Sequence, residues 1–183
     1  MGYYIKWGVW LTLAAIVVAF LNYTLPDRDI VRIVETEVER MDMGVNSIFW
    51  ASSEGTTETQ LSRDIKFIRS VRPNGRVRVY RNENTGWIWP PFFKFDSADV
   101  QAEAANLIST AEEPKWVIVR HYGWRSNWLE VFPNAVRLTP TDDPEQQLIP
   151  WFNIVLLIVL AGVVRAIQVR LSRFFARLFD RTT

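Results

Sequence analysis

The chain contains no cysteine and a single histidine, His121. The absence of cysteine excludes disulfide bonds, thiol catalysis and thiolate metal sites. No ligand-spaced acidic cluster accompanies the histidine, so we expect it to lie hydrogen-bonded at a strand end rather than on a metal. Gly-x-Ser-x-Gly elbows and glycine-rich phosphate loops are also missing, and these carry the chemistry of many hydrolases and nucleotide-binding enzymes. We therefore expect no catalytic residue, metal or cofactor.

Long apolar runs occur only near the two ends, at Trp7–Leu21 and Leu148–Val164. Each is close to the ~18–20 residues that a helix needs to cross a hydrocarbon core. No small-x-small cleavage site follows the first run, so we interpret it as an uncleaved anchor and not as a signal peptide. The sequence predicts transmembrane helices at residues 1–25 and 148–168, which enclose a β-rich domain at 26–147.

The charge distribution predicts the topology. Residues 26–147 hold 15 Lys/Arg against 19 Asp/Glu, a net charge of −4, so nucleic acid is not expected as a partner. Five arginines follow the second apolar run, and positively charged residues that flank a span favour the cytoplasmic side, so the C-terminus is predicted to be cytoplasmic. Because the chain would cross the membrane twice, the N-terminus is predicted to be cytoplasmic too. We predict a bacterial inner-membrane protein whose residues 26–147 are periplasmic. Its cytoplasmic tail, residues 169–183, is expected to form a basic amphipathic helix. The side chains expected on anionic lipid are Arg165, Arg170, Arg173, Arg177 and Arg181.

Between the two spans, the pattern predicts five strands and one helix. Asn74-Gly75 is typical of a tight hairpin turn, Ser97 of a helix N-cap, and residues 52–62 of a polar loop. Pro133 is expected to break or bulge the last strand. This order predicts an α+β fold, a small, partly open five-stranded barrel of the oligonucleotide/oligosaccharide-binding (OB) type; a generic α+β sheet would give the same order. The predicted strands are Ile30–Arg40, Ile65–Arg72, Arg76–Arg81, Trp116–Tyr122 and Trp128–Leu138.

The segment Trp87–Phe95 holds five aromatic residues and two prolines in nine positions. Such a segment can fill a core, or it can form an exposed ridge that contacts lipid headgroups or a protein. Because side chains alternate along an extended segment, some of the rings would point into the core and others outward. Its two prolines favour a sheet edge. Asn22 and Asn153, near or within the spans, are candidates for hydrogen bonds between helices. The side chains predicted to contact a partner are Trp87, Trp89, Phe92, Phe93, Trp124 and Arg125.

Two stretches resemble the paired signature of a bacterial domain-of-unknown-function family. Lys94–Asp99 is similar to its Lys-Phe-(Asn/Asp)-Ser-(Ala/Ser)-Asp motif, which precedes a helix. Tyr122–Arg125, followed by Pro133 and Asn134, is similar to its Tyr-Gly-Trp-Arg…Pro-Asn motif. The chain departs from the pattern at Ser126–Trp128, where a more apolar segment is common. The resemblance implies a proteobacterial protein with two terminal transmembrane helices and a small β-domain, and no activity or ligand.

The sequence is compatible with two functions. The first is a non-enzymatic envelope protein that serves as an accessory, assembly or interaction subunit of an integral-membrane complex, for example a respiratory or photosynthetic one. Its partners would be the lipid bilayer and an integral-membrane protein or a second copy of the chain. The second is a periplasmic module that binds a glycan, a lipid headgroup or a small signal, with Trp124 and Arg125 contributing.

Overall fold

The computed structural model describes residues 2–42, 49, 62–87 and 92–179. It has the mixed α+β composition expected from the sequence, with three helices and five strands. The chain divides into two compact units, Met1–Gln147 and Leu148–Thr183. The elements, in chain order, are α1 (Gly2–Thr24), β1 (Asp27–Asp42), β2 (Ser62–Val71), β3 (Val77–Arg81), α2 (Ser97–Asn106), β4 (Trp116–Tyr122), β5 (Asn134–Thr141) and α3 (Trp151–Phe179).

The five strands form one sheet that closes on itself in the order β1-β2-β3-β5-β4. The long strand β1 pairs antiparallel with β4 through its first half and with β2 through its second half. Strands β2 and β3 form an antiparallel hairpin, and β4 and β5 pair antiparallel. The closure between β3 and β5 is a single parallel pair, Arg81 with Asn134. One residue pair therefore completes the ring.

The main core lies inside the ring, because alternate residues along each strand point inward. In β4, for example, Val117, Val119 and His121 are buried while their neighbours are partly exposed. Val100 and Ala104 of α2 cover the same core from one side. Each fully buried valine or isoleucine contributes about 1.5–3 kcal/mol relative to the exposed side chain. A smaller cluster, Ile65 and Phe67 with Met41, Val79 and Phe132, lies on the opposite face of β2.

The predicted hairpin is confirmed, with Gly75 at a φ of +78°. The Gly75 N–H donates to the carbonyl of Arg72 at 2.9 Å, and the side chain of Asn74 accepts from the Arg76 N–H at 3.1 Å. Asn-Gly therefore acts as expected, because it supplies a positive φ and a local hydrogen bond.

The N-cap of α2 and the start of the last strand were predicted wrongly. Helix α2 starts at Ser97, so its N-cap is Asp96 and not Ser97; Ser97 donates its N–H to Asn84 Oδ1 at 2.8 Å. Strand β5 starts only after Pro133, because proline has no N–H for a sheet ladder. Trp128, at which this strand was predicted to begin, is 97% exposed. The described part of the aromatic segment, Trp87 and residues 92–95, carries no strand. Of the polar loop predicted at 52–62, residues 52–61 lie outside the described residues and Ser62 opens β2.

Helices α1 and α3 are each long and apolar enough to cross a membrane, by length and composition. The 23 residues of α1 span ~34 Å, slightly more than the hydrocarbon thickness. Helix α3 starts at Trp151 and not at Leu148, because Pro150 precedes its first turn and accepts from the Ile154 N–H at 3.1 Å. It continues without a break to Phe179, so no helix end marks the expected boundary at residue 168.

Candidate functional site

The C-terminal turn of α1 is fastened to the loop that follows β4. Tyr23 is 4% exposed, and its ring lies 5.3 Å from that of Trp124 and 5.5 Å from that of Phe92. The Trp124 indole N–H donates to Asn22 Oδ1 at 2.8 Å, and the Gly123 N–H donates to the Tyr23 carbonyl at 3.1 Å. These hydrogen bonds and ring contacts hold the helix end. We call this arrangement the helix clamp.

Gly123 is required at its place in the helix clamp. Its φ is +87°, a region that residues with a side chain rarely adopt, so a substitution would strain the backbone there. On either side, Tyr122 stacks on Phe92 at 4.9 Å, and Arg125 lies 4.3 Å from the centre of the Phe132 ring. The Tyr-Gly-Trp-Arg stretch therefore has a structural role at each of its four positions.

The aromatic segment divides between buried and exposed positions. Phe92 is 5% exposed and packs against Tyr23. Trp87, Phe93 and Phe95 are 74%, 57% and 52% exposed, and the Trp87 ring contacts the other two at 5.8 and 5.1 Å. We call these three residues the exposed aromatic cluster. Phe93 has a φ of +50°, a strained conformation for a residue with a side chain. Trp89, also predicted to contact a partner, lies outside the described residues.

Lys94 is almost completely buried, with 1% of its side chain exposed. Its ammonium nitrogen donates to Asn82 Oδ1 and to the carbonyl of Ala135. The Lys94 carbonyl accepts from the N–H groups of Thr85 and Gly86 at 3.0 and 3.1 Å, so the aromatic segment is hydrogen-bonded to the stretch that follows β3. Burial lowers the pKa of Lys94 to about 7, although Asp96 and Glu83 oppose the shift.

Stability is expected to depend on pH through Lys94. Its ordinary pKa is 10.5, so between about pH 7 and 10.5 the unfolded chain binds the proton that the folded chain has released. The free energy of unfolding should therefore rise by about 1 kcal/mol per pH unit from pH 7.5 to 9 and fall again as the pH is lowered toward 7. Denaturant titration of the full chain in detergent, followed by tryptophan fluorescence, measures this slope. Lys94→Met should remove it, whereas Lys115→Met, at an exposed lysine, should leave it unchanged; equal slopes in all three proteins would contradict the prediction.

The closure of the ring between β3 and β5 depends on Asn134, which is fully buried. Asn134 Oδ1 accepts from the Glu83 N–H, and its Nδ2 donates to the Glu83 carbonyl, each at 3.0 Å. The Glu83 carboxylate in turn lies 3.4 Å from Arg81 Nη1, and both side chains are buried. A charged pair and an asparagine therefore occupy the position where sheet hydrogen bonds are fewest.

A second buried polar cluster is centred on Asp29 in β1. Its carboxylate accepts from Arg72 Nη2 at 2.6 Å and from the Tyr80 hydroxyl at 2.6 Å, and it lies 3.1 Å from His121 Nε2 and 3.5 Å from Arg78 Nε. Burial alone would raise the pKa of Asp29, but the hydrogen bonds from His121, Arg72 and Tyr80 outweigh it and hold the pKa well below its ordinary value. Burial beside this carboxylate also raises the pKa of Tyr80. The side chains around Asp29 therefore stabilise one another through hydrogen bonds and ion pairs.

His121 therefore occupies the position expected of it, near the end of β4 and hydrogen-bonded. Within the described residues, no group of three or more histidine, aspartate and glutamate side chains is arranged to hold a metal ion.

The remaining predicted contacts stay predictions. Asn22 is a candidate for a hydrogen bond between the two terminal helices, and the structure gives its Oδ1 atom Trp124 as a partner. Asn153 lies in the first turn of α3. Arg165, Arg170 and Arg173 are exposed on α3, Arg177 belongs to the same helix, and Arg181 lies outside the described residues.

In comparisons with known proteins, residues 3–175 match a family model described as "Protein of unknown function (DUF1523)". A relative from Haemophilus influenzae, described as an uncharacterized protein, is 34% identical over 151 residues. That alignment covers 81% of each chain. No solved structure matches the chain.

Proposed function

Because the chain belongs to the DUF1523 family, whose function is unknown, we propose its role from its own geometry. It is a non-enzymatic, membrane-anchored envelope protein that acts as an interaction subunit, in an accessory or assembly role, of an integral-membrane complex. In this proposal α1 and α3 both cross the bacterial inner membrane, both termini are cytoplasmic, and residues 26–147 lie in the periplasm. The arginines of α3 contact anionic headgroups on the cytoplasmic side.

The helix clamp supports retention of α1 as an anchor. Tyr23 is buried against Phe92 and Trp124, and Asn22 is hydrogen-bonded to the same tryptophan. Cleavage between α1 and β1 would expose these rings and leave the Trp124 indole without its acceptor. The last turn of α1 is thus part of the packing of the β domain, unlike a leader that is removed.

The strand order supports the OB-type barrel among the possible α+β arrangements. The order β1-β2-β3-β5-β4 closes on itself, and α2 lies between β3 and β4 in the chain. In such barrels the loops and one sheet face carry binding, so the fold is compatible with an interaction role and does not by itself specify one.

The exposed aromatic cluster is the observation that carries the proposal. Three large rings stand at the surface, with the Trp87 ring in contact with the rings of Phe93 and Phe95, and Phe93 has a positive φ. The adjacent Phe92 packs on the end of α1, so the cluster lies on the side of the domain where that helix would leave the bilayer. Exposed aromatic patches of this kind mark contacts with proteins or membranes.

Photo-crosslinking in native membranes tests the interaction. We expect a benzoylphenylalanine at position 87 or 93 to form an adduct with one and the same integral-membrane protein. The same probe at Val77, a similarly exposed apolar position at the start of β3, should form none. The triple variant Trp87→Ser/Phe93→Ser/Phe95→Ser should also release the protein from its complex on native gels. Adducts with lipid alone, or migration of the wild-type chain only as a free monomer, would refute the proposal, and an adduct between two copies would identify a homo-oligomer.

A second candidate function is a module that binds a lipid headgroup, glycan or small signal. A groove of about 410 Å³ between α2 and strands β4 and β5 favours it, because acidic and basic side chains line the same space.

A further inference from the structure

The loop between β4 and β5 presents a tryptophan at its tip. Trp128 is 97% exposed, the highest value among the large hydrophobic side chains of the described residues. An indole ring that stays almost entirely in water buries no apolar area and contributes little to folding. The packing of the domain therefore gives no reason for a tryptophan at this position. We call residues 126–131 the tryptophan loop.

The tryptophan loop is closed at its base and keeps its shape without help from the Trp128 ring. The N–H groups of Ser126 and Val131 each donate to the carbonyl of the other residue, at 3.1 and 3.0 Å. Arg125 Nη1 donates to both of these carbonyls at 3.1 Å, and the Val131 side chain is buried. Glu130 has a φ of +48°, which is strained for a residue with a side chain. The base of the loop thus holds the exposed ring in a defined place.

The tryptophan loop lies beside the helix clamp, in the same compact unit as α1. Trp124, which donates to Asn22 in the last turns of α1, precedes Trp128 by four residues. An extended chain advances at most ~3.6 Å per residue, so the Cα atom of Trp128 lies within ~14 Å of that of Trp124. In the topology proposed above, α1 ends among the periplasmic lipid headgroups, because its length slightly exceeds the hydrocarbon thickness. The tip is therefore within reach of that headgroup layer.

The two ends of α1 differ in the aromatic residues that they expose. Tyrosine and tryptophan favour the membrane interface, because each ring has an apolar body and a polar group. At the C-terminal end of α1, Tyr23 is buried in the helix clamp, and no tryptophan lies in this half of the helix. At the N-terminal end, four such rings are each more than half exposed: Tyr3, Tyr4, Trp7 and Trp10. Only the N-terminal end of α1 thus has interfacial rings of its own.

We propose that Trp128 inserts into the periplasmic headgroup layer beside α1 and attaches the β domain to the bilayer surface, an inference that depends on the membrane topology proposed above. The contact is with lipid, because an indole ring places its body among the upper acyl chains while its N–H donates to headgroup oxygens. Charge does not drive the contact. The guanidinium group of Arg125 is bonded to backbone carbonyls, and the exposed charge in the loop, Glu130, is acidic. Insertion therefore requires neither anionic lipid nor a protein partner.

A fluorescent label beside the tip tests the insertion. Because the chain contains no cysteine, Asn127→Cys provides one labelling site and leaves Trp128 in place. In phosphatidylcholine nanodiscs that hold the full chain, lipids with a spin label high on the acyl chain should remove most of the fluorescence of an NBD label there, and aqueous iodide should remove little. Adding Trp128→Ser should reverse both results, whereas Trp128→Tyr should preserve them, because tyrosine is also an interfacial ring.

Two further labelled variants serve as controls. Lys115→Cys, exposed before the opposite end of β4, should be quenched by iodide and not by the spin-labelled lipid. Leu13→Cys, exposed in the middle of α1, should be quenched by a spin label deep in the bilayer. A label at position 13 that iodide quenches would show that α1 does not cross the membrane, and both proposals would fail.

The remaining outcomes concern Trp128 alone. A lipid-quenched label at position 13 together with an iodide-quenched label at position 127 would overturn the insertion and leave the anchor intact. Equal quenching at position 127 with and without Trp128→Ser would overturn it as well. Protection from iodide that occurs in native membranes but not in nanodiscs would indicate a protein contact and refute a lipid one. Crosslinks from positions 87 and 93 report the protein partner independently, so failure of one proposal is distinguishable from failure of the other.

Discussion

Asp29→Asn is expected to lower the free energy of unfolding by about 3 kcal/mol. The substitution keeps the shape of the side chain but removes the carboxylate that Arg72, Arg78 and His121 share. Removing one partner of a buried ion pair leaves an uncompensated charge and costs about 3–5 kcal/mol; the lower value applies here because Arg72 and Arg78 keep some contact with water. Denaturant titration of the full chain in detergent measures the loss.

The neighbouring Asp27→Asn is the matched control, since Asp27 is exposed and two residues away on the same strand. Its effect should stay within about 0.5 kcal/mol, as for most surface substitutions. The pH dependence gives an independent check. The pKa of Asp29 is lowered in the folded chain from an ordinary value of 3.8, so its stabilisation is complete above that pH and is lost as the pH falls below it. The difference between wild type and Asp29→Asn should shrink in that acidic range; a difference that is constant with pH would show that charge is not the cause.

Asn134→Leu is expected to lower the free energy of unfolding by about 2–4 kcal/mol. Leucine has the same branched shape and is somewhat larger, so the change removes two hydrogen bonds without opening a cavity. The N–H and carbonyl of Glu83 would then remain buried without their partner, and each such group costs about 1–3 kcal/mol. Because Arg81 and Asn134 form the single pair between β3 and β5, amide hydrogen exchange should also accelerate first at the end of β3.

Asn127→Leu is the control for this variant, since Asn127 is exposed in the loop between β4 and β5. It should leave both the unfolding free energy and the exchange rates near β3 unchanged. A stable Asn134→Leu protein with wild-type exchange would mean that the ring does not depend on this residue.

The local features of the fold could be predicted from the sequence. Asn74-Gly75 fixes its turn through neighbouring backbone groups, and alternation along Trp116–Tyr122 is a property of one strand. The boundary errors at Ser97 and Pro133 also have local causes, since a cap and a missing N–H act within one or two residues. For the same reason, the two apolar helices were evident from composition alone.

The polar clusters could not be predicted in the same way, because their members are distant in sequence. Asp29 meets Arg72, Tyr80 and His121 only when three other strands are placed around β1. A signal was present, since the alternation that directs Val31 and Ile33 inward also directs Asp29 inward. Its partners, however, depend on register. The pairing of Asn22 with Trp124 is also invisible in sequence, because 102 positions separate them.

The helix clamp has a mechanical consequence. Only Leu25 and Pro26 separate the end of α1 from the start of β1, and the clamp fixes the helix on the other side of that short connection. The domain therefore cannot swivel on its tether. Any turning of α1 about its own axis therefore carries the exposed aromatic cluster through the same angle. In the topology proposed above, the direction in which that cluster faces along the membrane plane thus reports how α1 is seated among its neighbours.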